Sequence, residues 1–302
     1  MGQSHAVVRW RRGAGEGQVE DRRGAGGGFP VGGRGLAGGG LGIVGVILAL
    51  LFGGNLGGGG GGGFDMGPQL DPFDQSPMTT SGRVPGTADP TGDQEQFVRF
   101  VVGNVQDSWE QLFADAGQQY QPTVLVLFDG ATQSGCGAAS SRTGPFYCPA
   151  DAQVYLDLSF FRELRERFGA PGDFAQAYVI AHEFGHHVQN VLGISSDVRR
   201  LQQSSPDDAN ELSVRLELQA DCMAGVWGHA AAQQQILEPG DLEEGLAAAE
   251  AIGDDRIQAE ATGQINPDTW THGSSEQRQE WFLRGFDNGD VDACDTFSES
   301  QV

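Results

Sequence analysis

Apolar and polar positions alternate with helical period over residues 93–116, where Phe97, Val101, Val105, Ser108 and Leu112 fall on one face. This predicts a helix packed by that face. Two short runs rich in β-branched residues, TVLVLF over 123–128 and AQVYLDL over 152–158, predict strands, the first stopped by Asp129-Gly130. Over 173–192, DFAQAYVIAHEFGHHVQNVL carries apolar residues at 174, 177, 178, 181, 184 and 188. Asp173 reads as its N-cap with Gln176 three residues on, and Gly193 as its stop. Further helices are expected over about 207–235, after Pro206, and over 241–252 and 275–286. The expected fold class is α+β, a small β-sheet followed by a mainly helical half, in one domain covering 92–302.

The first third of the chain follows a different pattern. Residues 36–52 read LAGGGLGIVGVILALLF, 17 positions without a charge, at the short end of what spans a bilayer as a helix. An Arg-rich stretch precedes them, with Arg9, Arg11, Arg12, Arg22, Arg23 and Arg34 against Glu16, Glu20 and Asp21. Positive charge is retained on the cytoplasmic side, so the expectation is a single-pass protein with residues 1–35 as a cytoplasmic tail and the domain outside. A cleaved signal peptide and a linker that never enters lipid are the competing readings. Seven consecutive glycines at 57–63 and a Pro/Gly/Asp-rich stretch make 53–91 a flexible tether.

Charge narrows the function. The chain has 302 residues, a net charge of −23 and no lysine, which argues against nucleic-acid binding because phosphates reward clustered positive charge. The acidic stretch DLEEGLAAAEAIGDD reads as a solvated helix face. Four cysteines, Cys136, Cys148, Cys222 and Cys294, are too widely spaced for a metal knuckle. Outside a membrane, Cys136 and Cys148 are placed to close a loop as a disulfide, leaving Cys222 and Cys294 as the second pair, although sequence alone does not fix the connectivity.

The chemistry is concentrated in His182-Glu183-Phe184-Gly185-His186, an HExxH on the predicted 173–192 helix. Positions i and i+4 share a helix face, so both imidazoles can reach one Zn²⁺, with Glu183 beside them as a base for metal-activated water. Two histidines leave the site incomplete. In the downstream ELQAD, Glu217 and Asp221 are again i and i+4, so Glu217 is the expected third ligand and Asp221 the acceptor for a ligand ring N–H. His272, in THGSSEQR, is the candidate oxyanion donor, with Arg278 and Tyr155 as weaker ones. His187, one residue beyond the ligand, is expected to pack or to support a ligand, and His229 is given no role.

The segments AYVIAHEFGHHVQN, ELQADCMAGVW, CGAASSRTGPFYCPADAQVYLDLSFF and THGSSEQRQEWF, together with the N-terminal RWRRGAGEGQVEDRRG, resemble the neutral zinc metallopeptidase family found in bacteria. The ExxxD that follows HExxH resembles the gluzincin arrangement. The resemblance implies a zincin-like fold and zinc-dependent hydrolysis, with His182, His186 and Glu217 as ligands and Glu183 as the catalytic residue. Peptide or protein is the expected substrate. A tethered zinc-containing binding protein and a zinc amidohydrolase acting on cell-envelope amides are the alternatives.

Overall fold

The computed structural model describes residues 8–10, 17–24 and 90–298. A central sheet has the order β1-β2-β6-β5, built from β1 (Val19–Asp21), β2 (Val124–Phe128), β5 (Phe146–Cys148) and β6 (Gln153–Asp157). β1, β2 and β6 run parallel, and β5 lies antiparallel to β6 at the outer edge. The hairpin of β3 (Ala131–Ser134) and β4 (Gly137–Ser140) intervenes between β2 and β5. The sequence predicted β2 and β6. The other strands are three or four residues long, too short for an alternation to register.

The helical half packs on one face of this sheet. Helix α1 (Pro90–Asp115) buries Phe97, Val101, Val105 and Ser108, the face that the spacing predicts. It is followed by α2 (Ser159–Glu166), α3 (Asp173–Val191), α4 (Ile194–Ser204), α5 (Ala209–Gln233), α6 (Asp241–Ala251), α7 (Asp254–Thr262) and α8 (Ser275–Asn288). Along β6, Val154 and Leu156 face the main core while Tyr155 enters a smaller cluster with Val126, Phe128 and Phe146 on the opposite face, as the two-residue period of a strand requires.

Close helix packing sets up the site. A Cβ at Gly185, the fourth residue of the HExxH, would lie 2.9 Å from the Ala220 carbonyl oxygen, so the glycine lets α5 approach α3. A Cβ at Gly285 on α8 would lie 1.9 Å from the Cys222 carbonyl oxygen, so α8 approaches α5 more closely still. Disulfides join Cys136 to Cys148 and Cys222 to Cys294, the pairing expected from the sequence. The second ties α5 to the C-terminal segment, where Arg215 and Thr296 exchange backbone-directed hydrogen bonds.

Three expectations are corrected. The first concerns the separate N-terminal tail. Val8 is 4% exposed, its neighbour Arg9 donates from its backbone to Ile236, and β1 pairs with β2 through Val19, Glu20 and Asp21. Arg9, Arg22 and Arg23 are paired with Glu238, Glu20, Asp21 and Glu95, so half of the arginines that suggested a cytoplasmic tail serve as ion-pair partners within the fold. The segments 36–52 and 53–89 lie outside the described residues. No helix among the described residues is long and apolar enough to cross a membrane.

The second concerns Asp173, which is the first residue of α3 rather than its N-cap. Gly172 occupies the cap position, and the Asp173 carboxylate accepts from the backbone of Val8. The third concerns the acidic stretch 241–255, which is only partly solvated. Asp241 and Asp254 are fully buried, and Gly245, Ala248 and Ala249 turn one side of α6 into the core.

Candidate metal centre

α3 and α5 run against each other with their chemistry-bearing residues face to face. His182, His186 and Glu217 each offer one ligand atom, and these atoms lie within 4.8 Å of one another. Glu217 Oε2 is 3.2 Å from His182 Nε2, and Glu217 Oε1 is 3.4 Å from His186 Nε2. Despite that proximity, His182 Nε2 and Glu217 Oε2 are buried and form no hydrogen bond, and neither does Glu183 Oε1. Orphaned buried polar atoms are rare in folded proteins. Those of His182 and Glu217 fit an ion that would satisfy both, and with His186 they make two imidazoles and one carboxylate, a zinc donor set that leaves a fourth position open, with the Glu183 oxygen free beside it.

Each ligand is oriented from behind. His182 Nδ1 is 2.8 Å from Asp221 Oδ1, so the ring donates there and presents Nε2 to the centre. Asp221 also accepts from Tyr178 and from Arg278, whose Nε and Nη2 lie 2.8 and 2.9 Å from its two oxygens. All three side chains are fully buried. His186 Nδ1 is 2.8 Å from the Gln189 carboxamide oxygen, and the Gln189 amide donates to the Leu216 carbonyl and to Gln219. One imidazole is thus backed by a carboxylate and the other by a neutral amide.

Electrostatics follow this asymmetry. Burial alone would lower the His182 imidazole, but Asp221 and Glu217 reverse the effect and bring it to about 9. Burial disfavours the ionised Glu217, yet His186 and His272 outweigh it and hold the carboxyl well below the usual range. Glu183 shifts the other way. Burial raises it, against the pull of the two imidazoles and of the Tyr147 backbone N–H on β5. Two adjacent carboxyls are therefore shifted in opposite directions, Glu217 down and Glu183 up.

The remaining candidates separate clearly. His272 is held at Nδ1 by Asp254 Oδ1, 3.2 Å away, and its backbone N–H donates to the same carboxylate. The following Gly273 packs against Val214 and Leu218 of α5, which brings the loop alongside Glu217. Arg278 is not an oxyanion donor, since Asp221 occupies its guanidinium. Tyr155 is not one either, because its ring stacks on Phe146 across the sheet and its hydroxyl donates to Asp151. His187 is a packing residue between Tyr120 and Tyr147. His229 bonds the Phe286 carbonyl.

Sequence reasoning missed Tyr178, Gln189 and Asp254. A signal existed for the first two, since Tyr178 precedes His182 by four residues and Gln189 follows His186 by three, both on the ligand face of the helix. Asp254 had none, because it reaches His272 across a gap of 18 residues.

A family model described as "Putative neutral zinc metallopeptidase" matches residues 8–297, nearly the whole chain. Uncharacterized protein YpfJ of Escherichia coli (strain K12) is 55% identical over 206 residues, covering 68% of this chain and 72% of the relative. Uncharacterized protein Rv2575 of Mycobacterium tuberculosis (strain ATCC 25618 / H37Rv) is 45% identical over 221 residues, covering 70% and 74%. No solved structure matches the chain. The match begins at residue 8, within the N-terminal segment that docks on the domain, so segment and metal centre fall within one family unit. The chain belongs to the neutral zinc metallopeptidase family.

Proposed function

We propose that this chain hydrolyses peptide bonds, with zinc held by His182, His186 and Glu217 and with Glu183 as the general base. The observation that carries the reading is the buried, unpartnered Glu183 Oε1 beside the unpartnered His182 Nε2 and Glu217 Oε2. When bound, zinc supplies a Lewis acid that polarises a carbonyl and allows water to act as a nucleophile near neutral pH. The chain does the rest. Glu183 takes the proton from the attacking water and delivers it to the leaving amine nitrogen. Its burial favours the protonated form needed between those transfers.

His272 is held by Asp254 through Nδ1, which leaves Nε2 to donate to the carbonyl oxygen as it gains negative charge. Asp221 and Gln189 fix the tautomers of the two imidazoles. A peptide is favoured as substrate by β5, the antiparallel outer strand, whose Tyr147 backbone lies against Glu183. An outer strand offers backbone groups to an extended chain, and here it would lay that chain beside the base.

Location belongs to the same proposal. Two disulfides favour an oxidising compartment. Membrane attachment through the uncharged residues 36–52 belongs to it as well.

The test is the zinc-loaded full chain incubated with a diverse peptide library read by mass spectrometry, beside Glu183→Gln. Cleavage abolished both by chelation and by the substitution is expected. A folded, zinc-loaded protein that cuts no peptide would overturn the reading.

A further inference from the structure

A second group of carboxylates lies at the start of the HExxH helix, away from the histidines. Asp173 opens α3, Asp241 opens α6, and Glu244 sits one turn further along α6. Each offers one ligand atom within 4.8 Å of the others. Helix-end capping accounts for only part of this arrangement. Asp173 Oδ2 accepts from the Val8 backbone, Asp241 Oδ2 from that of Glu238 and Glu244 Oε2 from that of Phe174. The second oxygens of Asp173 and Asp241 are buried and have no partner, and Asp241 is 0% exposed. Among the described residues no arginine or histidine pairs with any of the three. Burial pushes the Asp173 carboxyl up to about 6 and Glu244 up to about 7, as expected of negative charge that lacks a counter-ion.

The backbone is shaped to let these groups meet. Gly172 has φ +131°, and a Cβ there would lie 2.1 Å from Glu244 Oε2, so no other residue type would let Glu244 reach across to the start of α3. Asp173, though neither Asp241 nor Glu244, also lines a cleft of about 600 Å³ whose walls carry Asp93, Asp129 and Asp157 beside Arg23, Arg162 and Arg165, which opens the Asp173 end of the cluster to solvent.

We propose that Asp173, Asp241 and Glu244 form a calcium site, distinct from the zinc centre, that clamps the N-terminal segment and α6 to the start of the HExxH helix. The donors are all carboxylate oxygens, with no imidazole or thiolate, which suits a hard cation and not zinc. Calcium–oxygen distances of about 2.3–2.6 Å put opposed ligands about 4.6–5.2 Å apart, which suits ligand atoms that all lie within 4.8 Å of one another. Water from the cleft completes a shell of six to eight oxygens, and the flexible geometry of three side chains from two helices favours Ca²⁺ over the stricter octahedron of Mg²⁺. The site ties together Val8, α3 and α6, so occupancy would stabilise the docked segment and the helix that carries the zinc ligands.

The experiment titrates the zinc-loaded full chain with CaCl₂ alone in a calorimeter, after passage over a chelating resin and reloading with one zinc. Asp241→Asn and, in case that buried substitution disturbs folding, the half-buried Glu244→Gln are titrated alongside. One Ca²⁺ per chain is expected, weakened at least tenfold in each variant with zinc content unchanged. The calcium-dependent rise in melting temperature should also disappear in both. Each variant removes one repelling charge, so without calcium it should melt at or above the wild-type temperature. Absence of binding at millimolar calcium, or binding that both variants leave within threefold, would overturn the proposal.

Discussion

His182 Nδ1 and Asp221 Oδ1 are 2.8 Å apart, and the same carboxylate receives the guanidinium of the fully buried Arg278. Asp221 thus joins the metal centre to the packing of α8. Asp221→Asn is expected to weaken zinc binding by about 10–100-fold, the usual cost of removing an outer-shell carboxylate. It should also lower stability by about 3–5 kcal/mol, because it leaves Arg278 buried without a counter-charge. Zinc competition and denaturant unfolding measure the two effects separately. A normal zinc affinity with lowered stability would restrict Asp221 to the role of ion-pair partner.

Gly185 gives a case in which two effects oppose each other. Helix propensity favours Gly185→Ala by about 1 kcal/mol. The new Cβ would meet the Ala220 carbonyl oxygen at 2.9 Å, and overpacking of this kind costs about 1–3 kcal/mol. Net destabilisation with weaker zinc binding is expected, because α5 must retreat and take Glu217 with it. Chemical denaturation and zinc titration of the variant check this.

His187 predicts a pH dependence. It is 2% exposed, with Nε2 2.6 Å from the Gln121 carbonyl and Nδ1 3.2 Å from the Tyr147 hydroxyl, so the neutral ring donates on one side and accepts on the other. Burial lowers its pKa in the fold. Its stabilising contribution is therefore present above its unfolded value of about 6.5 and is lost as pH falls through the lower folded value. His187→Gln keeps one donor and one acceptor but cannot be protonated, so its stability should decline less steeply below about pH 6.5. Parallel melting curves from pH 5 to 8 test this, and the shared zinc centre cancels in the difference.

The docked N-terminus predicts that removing residues 1–24 destabilises the domain. Loss of the Val8 contact alone is worth about 1.5–3 kcal/mol, and β2 would become an exposed edge. Single cysteines at positions 4 and 298 should react with an impermeant reagent from the same side of sealed vesicles. Labelling from opposite sides would contradict the pairing of β1 with β2.

The candidate metal group was legible because its spacing is a local matter. His182 and His186 share one face of one helix at i and i+4, and Glu217 and Asp221 repeat that spacing on another. The long helices and the buried strands β2 and β6 were legible for the same reason, since their periodicity runs over enough residues to register. The role of 8–24 was not. Arginines that pair with Glu95 and Glu238 look, in one dimension, like arginines that hold a tail in the cytoplasm. The acidic run 241–255 misled in the same way, because charge predicts solvation unless the fold withdraws it, as it does for Asp241 and Asp254.

By itself the sequence determined which side chains can do chemistry and which helix faces present them, since helical geometry turns spacing into direction within a few residues. The tertiary structure decided which distant element supplies a partner: Asp221 for His182 across 39 residues, Asp254 for His272 across 18, and Glu244 for the Phe174 backbone across 70. Contacts over such separations depend on how closely α3, α5, α6 and the loop before α8 approach one another, and that is set by the volumes buried between them and not by any local pattern.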